Sequence, residues 1–207
     1  MKKILTVICS FLFLASLTAQ ESEAPIKKNK IGVSVSFLGE SDIFRYQELE
    51  GAARVDSRRS FTFAFNDLHP LNKTFDLETG LEFSSFATTI HPMIIPGVNS
   101  GESFPTTFGN LNFLNIPVTL RANFWRFFYV NGGLLIDLDL STSSRVNTQN
   151  GVGAMFGLGW KYEFKSGCEI TINPYSKMHS MITFSNSSYP QRLLESGFRL
   201  GVMIPLK

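Results

Sequence analysis

Eight stretches of this chain alternate apolar and polar residues, and their polar faces are not those of a soluble sheet. In residues 114–124, Leu114, Ile116, Val118, Leu120, Ala122 and Phe124 share one face. Asn115, Pro117, Thr119, Arg121 and Asn123 share the other. Successive strand side chains point to opposite faces, so this period of two describes a two-sided strand. Residues 152–164 repeat it: Val152, Ala154, Phe156, Leu158, Trp160, Tyr162 and Phe164 alternate with Gly153, Met155, Gly157, Gly159, Lys161 and Glu163. Glycines mixed with a few charges suit a crowded polar interior. The apolar face then meets lipid, which is the pattern of an outer-membrane β-barrel.

The same reading gives eight strands: 31–38, 60–66, 75–86, 111–124, 127–140, 151–164, 168–183 and 197–206. The predicted connections measure roughly 21, 8, 24, 2, 10, 3 and 13 residues, long and short in turn. Outer-membrane barrels have long extracellular loops and short periplasmic turns, so both ends of the chain are expected in the periplasm. The fold class expected is all-β, a closed, eight-stranded antiparallel transmembrane barrel. Aromatics gather on the expected periplasmic side, at Phe124, Trp125, Phe127, Phe128, Trp160, Tyr162 and Phe164. Such girdles sit at headgroup level.

The beginning of the chain reads as an address. Lys2 and Lys3 precede the short apolar run Ile4–Leu17, and Thr18-Ala19-Gln20 follows it. That is the form of a secretory signal peptide, 1–19, with cleavage expected after Ala19. Residues 20–207 are then one barrel domain. Removing Lys2 and Lys3 leaves 17 basic residues against 17 acidic. A neutral chain gives no electrostatic case for nucleic acid. Charged residues make up 17% of the chain, below the ~25% of ordinary soluble domains. Cys168 is the one cysteine outside the signal, so no internal disulfide is expected.

Certain of these segments resemble a family. "FDLETGLEFS" (75–84), "FLNIPVTLRANF" (113–124), "YVNGGLLIDL" (129–138) and "GFRLGVMI" (197–204) are similar to the small PorT-like outer-membrane barrel domain of Bacteroidetes. The resemblance covers essentially the whole chain after the signal, and its motifs are structural. It implies an eight-stranded outer-membrane protein. It also brings the expectation of an accessory role in a type IX-like protein secretion machinery. The chain departs from many outer-membrane barrels at Lys207, which stands where they carry a terminal aromatic recognised in assembly.

The expected lumen carries Asp76, Glu78, Glu82, Arg121, Asp137, Asp139, Lys161, Glu163, Glu169, Lys177 and Arg199. Eight strands enclose just enough room for side chains. Desolvated charges need partners, so these residues read as a salt-bridge plug. Glu78 and Arg121 are expected at one depth on adjacent strands, as an ion pair that Glu82 could share. On this phase an Arg at Val118 would face lipid, whereas an Arg at Thr119 should be far milder.

No catalytic, cofactor or metal site is expected. The glycines at 151, 153, 157 and 159 lie within a strand, not in the strand–turn–helix of a dinucleotide fingerprint. They are expected to make room for large inward neighbours such as Tyr129 or Arg121. His69, His91 and His179 lack ligand spacing. A lipid-modifying barrel enzyme would use His179 with Ser176 or Ser180 and a carboxylate. A soluble ligand-binding barrel would turn the apolar face inward. The role expected is non-enzymatic, structural or binding. Its partners would be outer-membrane lipid and a protein or ligand at extracellular loops 40–59 and 87–110, the second rich in proline and apolar residues.

Overall fold

The computed structural model describes residues 28–45, 54–91, 107–141, 149–184 and 191–206. The expected signal peptide lies outside the described residues, as do most of the two long loops. Eight strands follow one another along the chain: β1 (Lys30–Arg45), β2 (Arg54–Pro70), β3 (Phe75–His91), β4 (Thr107–Phe124), β5 (Phe128–Asp139), β6 (Gly151–Glu163), β7 (Glu169–Thr183) and β8 (Gln191–Pro205). Each pairs antiparallel with the next, and β1 also pairs with β8. The ring is closed, so no edge strand is left with unpaired backbone groups.

The strands keep the expected phase, except that β7 slips at Ser180. Val118, Leu134, Phe156, Leu158, Phe198 and Val202 point outward and are exposed, whereas Thr119, Leu135, Gly157 and Arg199 point inward and are buried. The soluble alternative fails here, because the large apolar side chains cover the outside of the wall and the charges fill the inside.

Strand limits differ from expectation mostly at the ends opposite the short turns, although β2 also runs on to Pro70 where the expected strand stopped at 66. β1 runs on to Arg45, β2 starts at Arg54, β3 ends at His91, β4 starts at Thr107 and β8 starts at Gln191. The expected loops 40–59 and 87–110 therefore contribute much of their length to strands, leaving 46–53 and 92–106 as connections. The added stretches, such as "ESDIFR" and "RVDSRR", show little apolar–polar contrast. A strand that rises beyond a bilayer has no lipid to enforce alternation, so its hydrogen bonds persist after its sequence signature has gone. Long and short connections still alternate.

Local chemistry sets the short turns. The Asn72 side-chain oxygen accepts from the backbone N–H of Thr74 at 2.8 Å and of Phe75 at 2.7 Å, closing the β2–β3 turn. Gly167 takes φ +83° in the β6–β7 turn, where its N–H donates to the Phe164 carbonyl. Trp125 adopts φ 54° in the β4–β5 turn, a left-handed conformation that costs a non-glycine residue about 1 kcal/mol.

Inward glycines serve tight contact. A Cβ on Gly159 would lie 2.0 Å from Cζ of Tyr129, so the ring occupies the space a side chain would need. A Cβ on Gly32 would meet the Val202 carbonyl oxygen at 2.1 Å, and one on Gly80 the Phe65 carbonyl oxygen at 2.1 Å. Glycine at such points lets a small barrel bend sharply.

Candidate functional site, the filled lumen

The inward faces build three polar layers and an apolar cap. At the end nearest the short turns, Lys30 Nζ donates to Glu169 Oε2 at 2.8 Å and lies 3.1 Å from Glu163 Oε1. Arg121 donates to the other Glu169 oxygen, and its guanidinium lies 3.8 Å from the centre of the Tyr129 ring. Two strong donors on separate strands thus share one buried carboxylate. Lys161 reaches Asn123 Oδ1 at 2.5 Å, and Asn123 in turn donates to Asp76 at 2.6 Å.

The middle layer centres on Glu82, which is fully buried. Lys177 Nζ donates to its Oε2 at 2.6 Å and Arg199 Nη2 to its Oε1 at 2.6 Å. Glu78 lies 3.7 Å from Arg199, beyond hydrogen-bond length. Around these charges run neutral contacts. Thr62 and Ser84 share a hydrogen bond at 2.8 Å, and Asn66 donates to Ser34 at 2.8 Å.

The upper layer is a histidine between two carboxylates. His179 Nδ1 lies 3.0 Å from Asp137 Oδ1, and Nε2 lies 3.1 Å from Glu195 Oε2. Lys177 stands 3.9 Å from Glu195 and joins this layer to the one below. Tyr175 donates to Glu195 at 2.5 Å. A register shift in β7 opposite Val152 and Ala154 turns both His179 and Ser180 inward, with Ser180 at φ 48°. Bulges re-aim side chains in this way. The Ser180 N–H then donates to Asp137 Oδ2 at 2.8 Å, while its hydroxyl donates to the Gln149 carbonyl. Above the histidine, Phe86, Leu111, Phe113 and Leu193 form a fully buried apolar cluster. The His179 ring stacks on Phe113 at 5.6 Å and 15°.

The expected Glu78–Arg121 pair does not form. In the register, Arg121 is opposite Asp76 and Glu78 is opposite Thr119. Arg121 instead reaches across the lumen to β7, and Glu78 faces β8. Counting residues from each strand end misjudged the stagger of the wall. Asp139 also lies apart from the network. Its carboxylate accepts from the N–H groups of Ser141 at 2.8 Å and Gln149 at 3.1 Å, which fastens the base of the β5–β6 connection. Glu163 is half exposed, at the mouth. Glu82, Asp137, Glu169, Lys177 and Arg199 are brought together as buried partners. Lys30, His179 and Glu195 complete the network and were absent from the expected set. Lys30 and Glu195 lie just beyond the strand limits read from sequence, yet both continue the inward phase of their strands.

The constellation for a lipid-modifying enzyme is not assembled. Ser176 is on the outer face and exposed, His179 is on the inner face, and the Ser180 hydroxyl is bound to Gln149. Both ring nitrogens of His179 face carboxylates, so neither is placed to take a proton from a hydroxyl.

No family model matches the chain, and no curated protein matches it. Among solved structures, the solid-state NMR structure of outer membrane protein AlkL in DMPC lipid bilayers is similar. It is 10% identical, with 90% of this chain and 95% of that chain covered and a TM-score of 0.49. The translocator domain of autotransporter NalP from Neisseria meningitidis is also 10% identical. There 99% of this chain and 98% of that chain are covered, with a TM-score of 0.36.

Proposed function

We propose that the chain is an outer-membrane β-barrel with a non-enzymatic role, a rigid closed stem that presents its extracellular connections to a partner. One observation carries this reading: the wall is apolar outside and ionic inside. Exposed side chains such as Phe65, Leu134, Phe156 and Phe198 would be a severe liability in water, and they are the expected surface against hydrocarbon. The interior is packed with paired charges and capped by Phe86, Leu111, Phe113 and Leu193, which favours a plug over a conducting pore. The aromatic band supports the orientation. Phe127, Trp160 and Tyr162 stack in sequence at 6.3–6.5 Å around the periplasmic end of β5 and β6.

Fractionation tests it. The protein should remain with outer membranes through a carbonate wash and migrate differently on gels before and after boiling. Purified into planar bilayers, it should give no steady conductance. Recovery from the soluble periplasm would overturn the membrane reading, and a stable open channel would overturn the plug. The PorT-like resemblance favours a second reading, an accessory of a type IX-like secretion machinery. A deletion strain scored for secretion separates the two, since a stem with an independent partner leaves secretion intact.

A further inference from the structure

On the outer wall where β8, β1, β2 and β3 meet, an apolar groove of about 670 Å³ opens toward the surroundings. Ile31, Val33, Phe65, Leu81, Val202 and Ile204 line it. Two inward glycines, Gly32 and Gly80, also border it. Each lets its strand approach the neighbouring backbone too closely for a Cβ.

Asp67 stands at the edge of this groove, outward and exposed. A carboxylate on a lipid-facing strand is expensive and calls for a partner. The register sets Asp67 between Ile31 on β1 and Thr79 on β3. Ile31 is apolar, and the Thr79 hydroxyl donates to the Pro117 carbonyl at 2.9 Å. Among the described residues no basic side chain pairs with Asp67. It lies three residues before the end of β2, close to the headgroup zone of the expected inner leaflet. Two exposed lysines lie beyond the strand ends on that side of the barrel, Lys28 ahead of β1 and Lys73 in the β2–β3 turn.

We propose that this groove binds a phospholipid of the periplasmic leaflet whose headgroup carries both an ammonium and a phosphate. One acyl chain lies along Ile31, Phe65, Leu81 and Ile204, the ammonium meets Asp67, and Lys28 and Lys73 face the phosphate. A carboxylate beside lysines is complementary to a zwitterion, whereas lysines alone would favour a purely anionic lipid. The proposal rests on the membrane reading above.

The test uses the purified barrel refolded into vesicles of equal parts phosphatidylethanolamine and phosphatidylglycerol. The barrel is then extracted in mild detergent, and retained lipid is identified by native mass spectrometry. The wild type should hold phosphatidylethanolamine several-fold over phosphatidylglycerol. Asp67→Asn should drop that ratio to one or below while still retaining lipid. Leu81→Trp, which fills the groove, should lose both lipids, and Ile204→Trp serves where Leu81→Trp does not fold. Parity in the wild type, or an unchanged ratio in Asp67→Asn, overturns the proposal. So does a lipid-free dimer abolished by the tryptophan variants, which would assign the groove to a second copy of the chain. A barrel that inserts but shows no preference sinks this proposal alone. A barrel that never enters vesicles sinks the membrane reading with it.

Discussion

Val118 and Thr119 are adjacent in sequence and opposite in surroundings. One is exposed on the outer wall, and the other is buried with its hydroxyl on the Glu78 carbonyl. The contrast holds for whole faces. The outer face needs only to be apolar, and many side chains satisfy that. The inner face needs particular partners at particular depths, because every charge there has lost water and must recover it from a neighbour. Composition therefore specifies the outside, and geometry specifies the inside.

The largest effect should come from the centre of the inner face. Glu82→Gln leaves Lys177 and Arg199 without their shared carboxylate, and should destabilise the barrel by about 3–5 kcal/mol. Urea titration of the lipid-reconstituted protein measures it. A loss no larger than that of Glu78→Gln would mean that water, not Glu82, solvates those cations. Next comes the outer face. Val118→Arg places a charge against lipid and should cost about 2–4 kcal/mol near the bilayer midplane. The expectation that Thr119→Arg is far milder meets a packed lumen, where the new cation would stand beside Arg121 and opposite Glu78. The comparison sharpens as a difference of kind: thicker or thinner bilayers should shift the penalty at Val118 and leave that at Thr119 alone.

Smaller is the coupling between single partners. A double-mutant cycle on Arg121→Gln and Glu169→Gln should return roughly 1–3 kcal/mol, while the same cycle on Arg121 and Glu78 should return much less. Equal values would show that the stagger described for β3 and β4 is wrong. The smallest effect tests the tolerance of the outer face: Leu158→Ile should change stability by no more than about 0.5 kcal/mol. A larger loss there would mean that Leu158 packs against a specific protein or lipid surface.

The strands and their phase were legible because lipid imposes a period of two that any window can detect. The continuations of β1, β2, β3, β4 and β8 away from the short turns were not, since hydrogen bonding to a neighbour leaves no mark on hydropathy. The inventory of lumen charges was partly legible, because Glu82, Lys177 and Arg199 follow the inward phase. Who meets whom was not. Arg121 and Glu169 are 48 residues apart on strands that are not neighbours, and their meeting depends on barrel diameter and stagger together. His179 was noticed for the wrong reason. Counting inward from Glu169 by twos reaches it directly, as an internal ring between carboxylates and not as a base beside a serine.

The pairing pattern also constrains how such a wall can be assembled. Lys30 meets Glu163 on β6 and Glu169 on β7, Arg121 on β4 meets Glu169, and Lys177 on β7 and Arg199 on β8 both meet Glu82 on β3. None of these contacts joins adjacent strands. The β7–β8 hairpin sets Lys177 3.9 Å from Glu195, but Lys30, Arg121 and Arg199 find their carboxylates on strands that are not neighbours. For these three cations, neutralisation arrives when distant strands curl to face one another. Insertion and closure are then one cooperative event, and an incomplete barrel is held at the membrane surface by its own unpaired ions.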